Sequence, residues 1–307
     1  MTFSQIPFKD LKLFFGKAST YTRNTSNFKK LPMMKEKIPL YASICFLLLF
    51  IYASIIFPIL EDSIILPEIP GGVEIKTFFM LIFSLFHAWY LIGWRKTLVF
   101  FAITAGVSWG YEQVGVETGL IYGDYHYTDY LSEKIGHVPI IIPLAWFMMI
   151  YPSYIIANMI FSGKPLFLQN KISQIILISL LSAAVMTAWD FVVDPYLSGP
   201  TVNAWVWEKG GAYFGIPIHN FFGWILTTFS IYLIYRIFES KAKPISNQIT
   251  NYSVILPVLG YGLMLVANLI PGEPQELRII GPIIMGIPII IAIIRFKQNK
   301  ELVAESP

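Results

Sequence analysis

Long apolar segments separated by short polar connections dominate the chain. A helix needs about 20 mostly apolar residues to cross the hydrocarbon core of a bilayer, and runs of this length recur along the whole sequence. The pattern therefore predicts an all-α fold, a polytopic membrane helix bundle with about eight transmembrane helices. The predicted spans are 38–60, 76–94, 97–116, 138–161, 172–193, 214–237, 252–270 and 279–295.

The distribution of Lys and Arg predicts how the bundle is oriented. Of 22 such residues, all but Lys76, Lys134, Lys209 and Arg278 fall on the same side as the N-terminal segment. Positive residues are retained on the cytoplasmic face, so we expect an even number of spans with both termini in the cytoplasm. A seven-span chain ranks second, because it would place one of the two basic ends outside. The expected localisation is the cell membrane, as a multi-pass protein.

The predicted spans divide the chain into three segments. They are a basic N-terminal cytoplasmic segment (1–37), the transmembrane bundle (38–297) and a cytoplasmic tail (298–307). In the first segment Phe8, Leu11 and Phe15 share one helical face, which fits either an interfacial helix or a plain basic tail. The net charge of +3 reflects membrane topology, so no nucleic-acid partner is expected. A single cysteine, Cys45, leaves no disulfide or thiolate metal site to predict.

Several polar residues lie inside or beside the apolar spans at a similar depth. Glu112 lies near the outer end of the third span, Asp190 ends the apolar run of the fifth, and Asp194 follows four residues later on the same helical face. Because carboxylates are costly in a bilayer, such residues are normally kept for function or for a buried partner. His219 and Asn220 occupy the corresponding level of the sixth span. We expect these polar groups to converge on one intramembrane cavity.

Aromatic residues crowd the same level, among them Tyr125, Tyr127, Trp146, Trp189 and Trp224. An interfacial aromatic belt explains such a distribution. Walls around a long hydrophobic ligand with a cationic transition state explain it equally well. The sequence leaves both interpretations open.

Three stretches carry a recognisable pattern: "EQVGVETGLIYGDYHYTDYLSEKIGHVPIIIPLAWFMMIYPSY", "AWDFVVDPYLS" and "WVWEKGGAYFGIPIHNFFGW". Together they resemble the membrane carotenoid hydratases, the family of carotenoid biosynthesis proteins of the bisanhydrobacterioruberin hydratase and gamma-carotene 1′-hydroxylase type. The resemblance covers about residues 76–238. The loops "LIYGDYHY" and "YLSGPTVNAW" depart from the usual family pattern, so the resemblance implies the chemistry more than the exact substrate.

The resemblance implies addition of water across the terminal C1,C2 double bond of an acyclic carotenoid end group, giving a tertiary alcohol with no cofactor and no metal. Asp190 or Glu112 would donate the proton, while Asp194 and Asp124 would position the water and accept its proton. Hydrogen bonds to the water are implied for Tyr125, His219 and Asn220. The cation would be flanked by Tyr127, Trp146, Trp189 and Trp224. The implied partners are the carotenoid, membrane lipids and other enzymes of carotenoid biosynthesis.

Two other functions remain open at this point. The carboxylate spacing of "DFVVD", Asp190 to Asp194, would suit an intramembrane prenyltransferase that holds magnesium and a diphosphate. Three observations count against a prenyltransferase. The motif occurs once, no Lys or Arg cluster lies beside it, and its predicted position is away from the cytoplasm. A non-catalytic carotenoid-binding or transport protein is the second alternative, although the sequence shows no inverted repeat.

Overall fold

A computed structural model describes residues 26–131, 133–169, 171–242 and 252–304. Residues 39–307 form one compact unit. The predicted interfacial helix around Phe8, Leu11 and Phe15 lies outside the described residues.

Helices form nearly all of the regular structure. In chain order they are α1 (Ser26–Ile51), α2 (Phe57–Leu60), α3 (Gly72–Ile92), α4 (Trp94–Thr118), α5 (Ile141–Ser162), α6 (Ile172–Leu197), α7 (Ile218–Lys241), α8 (Leu256–Leu269), α9 (Leu277–Ile284) and α10 (Gly286–Ala304). A π-helical turn, Tyr52–Ile56, joins α1 to α2, and a 3-10 turn, Tyr252–Ile255, precedes α8. Each predicted span overlaps one of these helices or a consecutive group of them, so the predicted helix bundle is confirmed.

Six helical segments in the described chain are long and apolar enough to cross a membrane. They are Lys37–Leu60, Gly72–Ile92, Ile141–Ser162, Ile172–Leu197, Ile218–Lys241 and Leu277–Glu301. The other two predicted spans are α4, which is not among these six, and the shorter apolar helix Ser253–Leu269. Both pack against α5 in the bundle. The chain is therefore a multi-pass membrane protein with helices of unequal length.

Helix α5 is the centre of the bundle. It contacts α3, α4, α6, α8 and α10, and its side chains from Trp146 to Met159 are buried without interruption. A helix that is apolar on all sides is the one that other helices surround. The first turns of α5 contribute Ile141, Ala145 and Trp146 to the lining of a cavity at one end of the bundle.

Two short antiparallel ribbons lie in the connections and were not predicted. Strand β1 (Tyr125–Tyr127), between α4 and α5, pairs with β4 (Trp205–Trp207), between α6 and α7. Strands β2 (Lys134–Ile135) and β3 (Val138–Pro139) pair within the α4–α5 connection. The β1–β4 pair ties two distant connections together at one end of the bundle. We call this the outer end, following the orientation that the charges predict.

Two predicted boundaries are corrected. The span predicted at 214–237 begins as a helix only at Ile218, because Phe214 and Gly215 adopt positive φ angles of 49° and 85° in a bend before it. The span predicted at 279–295 is divided into α9 and α10 at Met285. Helix α10 then continues into the segment that was expected to be a tail.

A buried cation holds α5, α6 and α7 together. Arg236 is fully buried and donates to Asn158 Oδ1 and Ser182 Oγ, both at 2.9 Å. Its guanidinium lies 4.4 Å from the ring centre of Tyr154, whose hydroxyl donates to Glu239 at 2.8 Å. The sequence analysis used Arg236 only as one of the positive charges on the cytoplasmic side, whereas in the structure it is buried against partners from α5 and α6.

Candidate active site

A cavity of about 190 Å³ lies at the outer end of the bundle, beneath the β1–β4 ribbon. A single water needs about 10–15 Å³ on this measure, so a hydrocarbon group and a water fit together. Nine of the eleven residues predicted for the site line it. They are Glu112, Tyr125, Tyr127, Trp146, Trp189, Asp190, Asp194, Asn220 and Trp224.

Glu112, near the end of α4, is only 5% exposed, and its carboxylate accepts three hydrogen bonds. Tyr125 and Tyr127 donate their hydroxyls to Oε2 at 2.5 and 2.8 Å, and Trp146 donates Nε1 to Oε1 at 3.3 Å. Burial and then the Glu112 charge raise the pKa of both tyrosines well above its usual value, so both remain protonated donors. Glu112 is thus held in place as an acceptor.

Strand geometry explains how one short loop supplies two donors. Alternate residues of a strand point to the same side, so Tyr125 and Tyr127 both face the cavity. His126 points to the opposite side, where it is exposed and lies 2.5 Å from Glu208. The sequence "YHY" therefore positions both phenols at once.

Tyr122 anchors this loop between α4 and α7. Its ring lies where Gly115 and Gly223 have no side chain: a Cβ would come within 2.7 Å of the ring at Gly115 and within 2.5 Å at Gly223. Its hydroxyl bonds to Thr227 Oγ1 at 2.8 Å. The two glycines are required for close approach, and the loop that carries Tyr125 starts from this fixed point.

Asp190 and Asp194 share one partner. Each is 1% exposed, and their spacing of four residues places both on one face of α6. Asn220 Nδ2 donates to Asp190 Oδ2 at 2.8 Å and to Asp194 Oδ2 at 2.9 Å. Trp205 Nε1 donates to Asp194 Oδ1 at 2.8 Å. Asp194 therefore accepts two of these hydrogen bonds and Asp190 only one.

Three tryptophans form an aromatic wall beside the carboxyl groups. Trp146 and Trp224 stack with ring centres 4.1 Å apart, and Trp189 meets Trp224 edge to face at 5.9 Å. All three line the cavity. Because the faces of such rings attract cations, the wall suits a ligand that becomes positively charged.

Two predicted site residues lie outside the cavity lining. His219 is exposed in the first turn of α7, because each helical residue is rotated by about 100° from the last, and Asn220 takes the inward position. Asp124 is partly exposed and forms an ion pair with Lys209. The structure gives no support for the predicted contact of either residue with the reacting water.

Trp205 is a further residue of the site, and its hydrogen bond to Asp194 was not predicted. It lies in β4, and its position opposite Tyr127 follows from the β1–β4 register. The alternating pattern "WVW" was a visible strand signal. Its pairing partner, which lies about 80 residues earlier in the chain, could not be read from local sequence.

The fold and the site define a membrane helix bundle with a buried acidic cavity walled by aromatic rings. The carotenoid biosynthesis protein family model matches residues 72–293, so the chain belongs to that family and has a role in carotenoid biosynthesis. This confirms the resemblance and extends it beyond 76–238. Bisanhydrobacterioruberin hydratase from Haloarcula japonica is 28% identical over 159 residues, 52% of this chain and 50% of that relative. The chain thus matches about half of the relative's length. No solved structure matches the chain.

Proposed function

We propose that the chain is a carotenoid hydratase that adds water across the terminal C1,C2 double bond of an acyclic carotenoid end group, giving a tertiary alcohol. The observation that carries the proposal is the buried pair Asp190 and Asp194, bridged by Asn220 beside an aromatic wall. Family membership and the name of the Haloarcula relative support the same chemistry.

The proposal assigns the proton to Asp190. An alkene is a weak base, so hydration needs a carboxylic acid that is still protonated when the substrate binds. Hydrogen bonds donated to a carboxylate favour its charged form. Glu112 accepts three such bonds and Asp194 two, whereas Asp190 accepts one, which favours Asp190 as the acid.

The reaction then proceeds in two steps. Asp190 gives its proton to C2, the less substituted alkene carbon, and the positive charge develops on C1. Water attacks C1 and loses a proton to Asp194, and transfer of that proton from Asp194 back to Asp190 restores the pair. The net change is the addition of one water to one double bond, with no electron transfer.

Glu112 and the tryptophans stabilise the cation in this mechanism. The Glu112 charge is fixed by its three donors before the reaction, and preorganised charge of this kind is an effective way to lower a barrier. The faces of Trp146 and Trp224 add cation–π attraction. The remainder of the polyene extends from the cavity into the bilayer, which we propose to be the cell membrane.

The two alternative functions fit the cavity less well. A prenyl diphosphate needs several cations, and Lys76 is the lone Lys or Arg in the cavity lining among the described residues. The donors to Asp190 and Asp194 are neutral amide and indole groups. A binding or transport protein would use the same aromatic wall but would return the pigment unchanged, so a product assay separates it from a hydratase.

The test is expression of the chain in cells that accumulate lycopene, followed by chromatography and mass spectrometry of the pigments. We expect a gain of the mass of one water for each modified end. Asp190→Asn and Glu112→Gln should abolish this gain, whereas Asp124→Asn should retain it, at equal levels of protein in the membrane. Unchanged pigment that copurifies with the protein would favour the binding function. Hydration retained in both cavity variants would refute the residue assignment.

A further inference from the structure

A second group of polar side chains lines the same cavity. It comprises Ser54 in the π-helical turn, Lys76 and Thr77 in α3, and Asn268 in α8. Within the described residues, none of the four hydrogen-bonds to a carboxyl group of the acidic site. The mechanism proposed above assigns them no task. We call these four residues the second polar region.

Two polar atoms of the second polar region are buried without a hydrogen-bond partner among the described residues. Ser54 Oγ and Asn268 Nδ2 form no hydrogen bond within the described residues, and Ser54 is 5% exposed. A helical serine usually returns its hydroxyl to a carbonyl three or four residues earlier. Ser43 in α1 does so, donating to Leu40 O at 2.7 Å. Because buried polar groups normally have partners, these two atoms indicate a ligand with a polar atom of its own.

The backbone around Ser54 departs from an ordinary helix. In the π-helical turn Tyr52–Ile56, the amide of Phe57 bonds to Tyr52 O, five residues back. Pro58 has no amide hydrogen to give to the Ser54 carbonyl, so an α-helix could not continue unchanged through this point. Single π turns within helices are frequently found at functional sites. This one lies where Ser54 meets the cavity.

We propose that the second polar region is a subsite that binds a neutral hydroxyl oxygen. Asn268 Nδ2 and Lys76 supply donors, while Ser54 and Thr77 can donate or accept, which matches an oxygen carrying both lone pairs and hydrogen. The inference rests on the proposed hydratase function, because it places this oxygen in the cavity that receives the end group. The oxygen belongs either to a water kept for the reaction or to a hydroxyl group on the substrate itself.

A matched pair of small probes tests the subsite without requiring turnover. Citronellol carries a terminal trisubstituted double bond and a hydroxyl group, and the corresponding hydrocarbon lacks only the hydroxyl. Their binding to the detergent-solubilised full chain is measured by quenching of tryptophan fluorescence. The variants are Ser54→Ala and Asn268→Leu. Ser43→Ala is the control, since it removes a buried hydroxyl that is not in the cavity lining. Lycopene hydration is measured for each variant in parallel.

If the bound oxygen belongs to a hydroxyl on the substrate, the wild type should bind citronellol about tenfold more tightly than the hydrocarbon. Tenfold is the effect of one hydrogen bond of ordinary strength. Ser54→Ala and Asn268→Leu should remove that preference and leave hydrocarbon binding unchanged. If the bound oxygen belongs to a water kept for the reaction, the wild type should show no preference for citronellol. Both variants should then hydrate lycopene more slowly than Ser43→Ala.

The inference is overturned if the wild type shows no preference for citronellol and neither variant hydrates lycopene more slowly than Ser43→Ala, including the case in which no form hydrates it. It is equally overturned if the variants keep a preference for citronellol that the wild type shows. Failure of the proposed function looks different. In that case no form of the chain hydrates an acyclic carotenoid, while the preference for citronellol and its loss in the two variants are still observed.

Discussion

Replacing Asn220 with leucine removes the one amide that bridges the two aspartates of α6. The variant loses two hydrogen bonds, at 2.8 and 2.9 Å, to carboxyl groups that are each 1% exposed. A hydrogen bond to a charged group is worth about 1.5–3 kcal/mol. If the transition state loses the equivalent of one such bond, hydration slows by about 10- to 150-fold.

The assay compares initial rates of lycopene hydration in membranes that contain equal amounts of each variant. His219→Leu is the matched control, because His219 precedes Asn220 in the same helical turn but is exposed and outside the cavity lining. We expect the control to hydrate at close to the wild-type rate. Equal rates for Asn220→Leu and His219→Leu, with both proteins folded, would refute the idea that the bridged carboxyl pair performs the chemistry.

Three further changes have distinct expected outcomes. Tyr125→Phe removes one of the three donors to Glu112 and should slow hydration by about tenfold at unchanged protein level, as the strength of such a bond predicts. An unchanged rate would show that this hydroxyl does not support the Glu112 charge. Gly223→Ala should lower the melting temperature in detergent, because its Cβ would lie 2.3 Å from a backbone oxygen, whereas Gly106→Ala meets nothing within 4 Å and should not lower it. Equal melting of the two alanine variants would contradict the packing described for that helix. Arg236→Ala should destabilise the fold by about 3–5 kcal/mol in equilibrium unfolding, the usual result of breaking a buried charged cluster, and a change below about 1 kcal/mol would contradict its role.

The positions of the helices could be predicted because the bilayer imposes a strong rule. Every backbone polar group must be satisfied within a span, so a run of about 20 apolar residues is almost always a helix. The rule gives less information where the chain leaves the apolar region. The bend at Phe214 and Gly215 contains mostly apolar residues, and it was therefore assigned to the sixth span although the backbone turns there.

The depth of the site residues could be predicted, but their direction could not. Counting from the span ends placed Glu112, Asp190 and Asn220 at one level, and the structure brings all three to one cavity. The same counting placed His219 beside them. Which of two consecutive helical residues faces inward depends on the rotation of α7 against α6, which is fixed by packing between helices and not by local sequence.

Long-range contacts were the least predictable part of the site. The hydrogen bond that Trp205 donates to Asp194 depends on the pairing of two three-residue strands from separate connections. Strands of this length carry little sequence signal of their own. The burial of Arg236 was hidden for a similar reason, because its partners Asn158 and Ser182 come from two other helices.

The most direct test of the central claim is the origin of the oxygen in the product. Membranes containing the chain are incubated with lycopene in water labelled with heavy oxygen, and the hydroxylated pigment is analysed by mass spectrometry. We expect the tertiary hydroxyl to carry the heavy isotope, deuterated water to place one deuterium on the neighbouring carbon, and Asp190→Asn to form no product. A hydroxyl with oxygen from dissolved dioxygen, or an unchanged pigment in the presence of folded protein, would contradict hydration by this cavity.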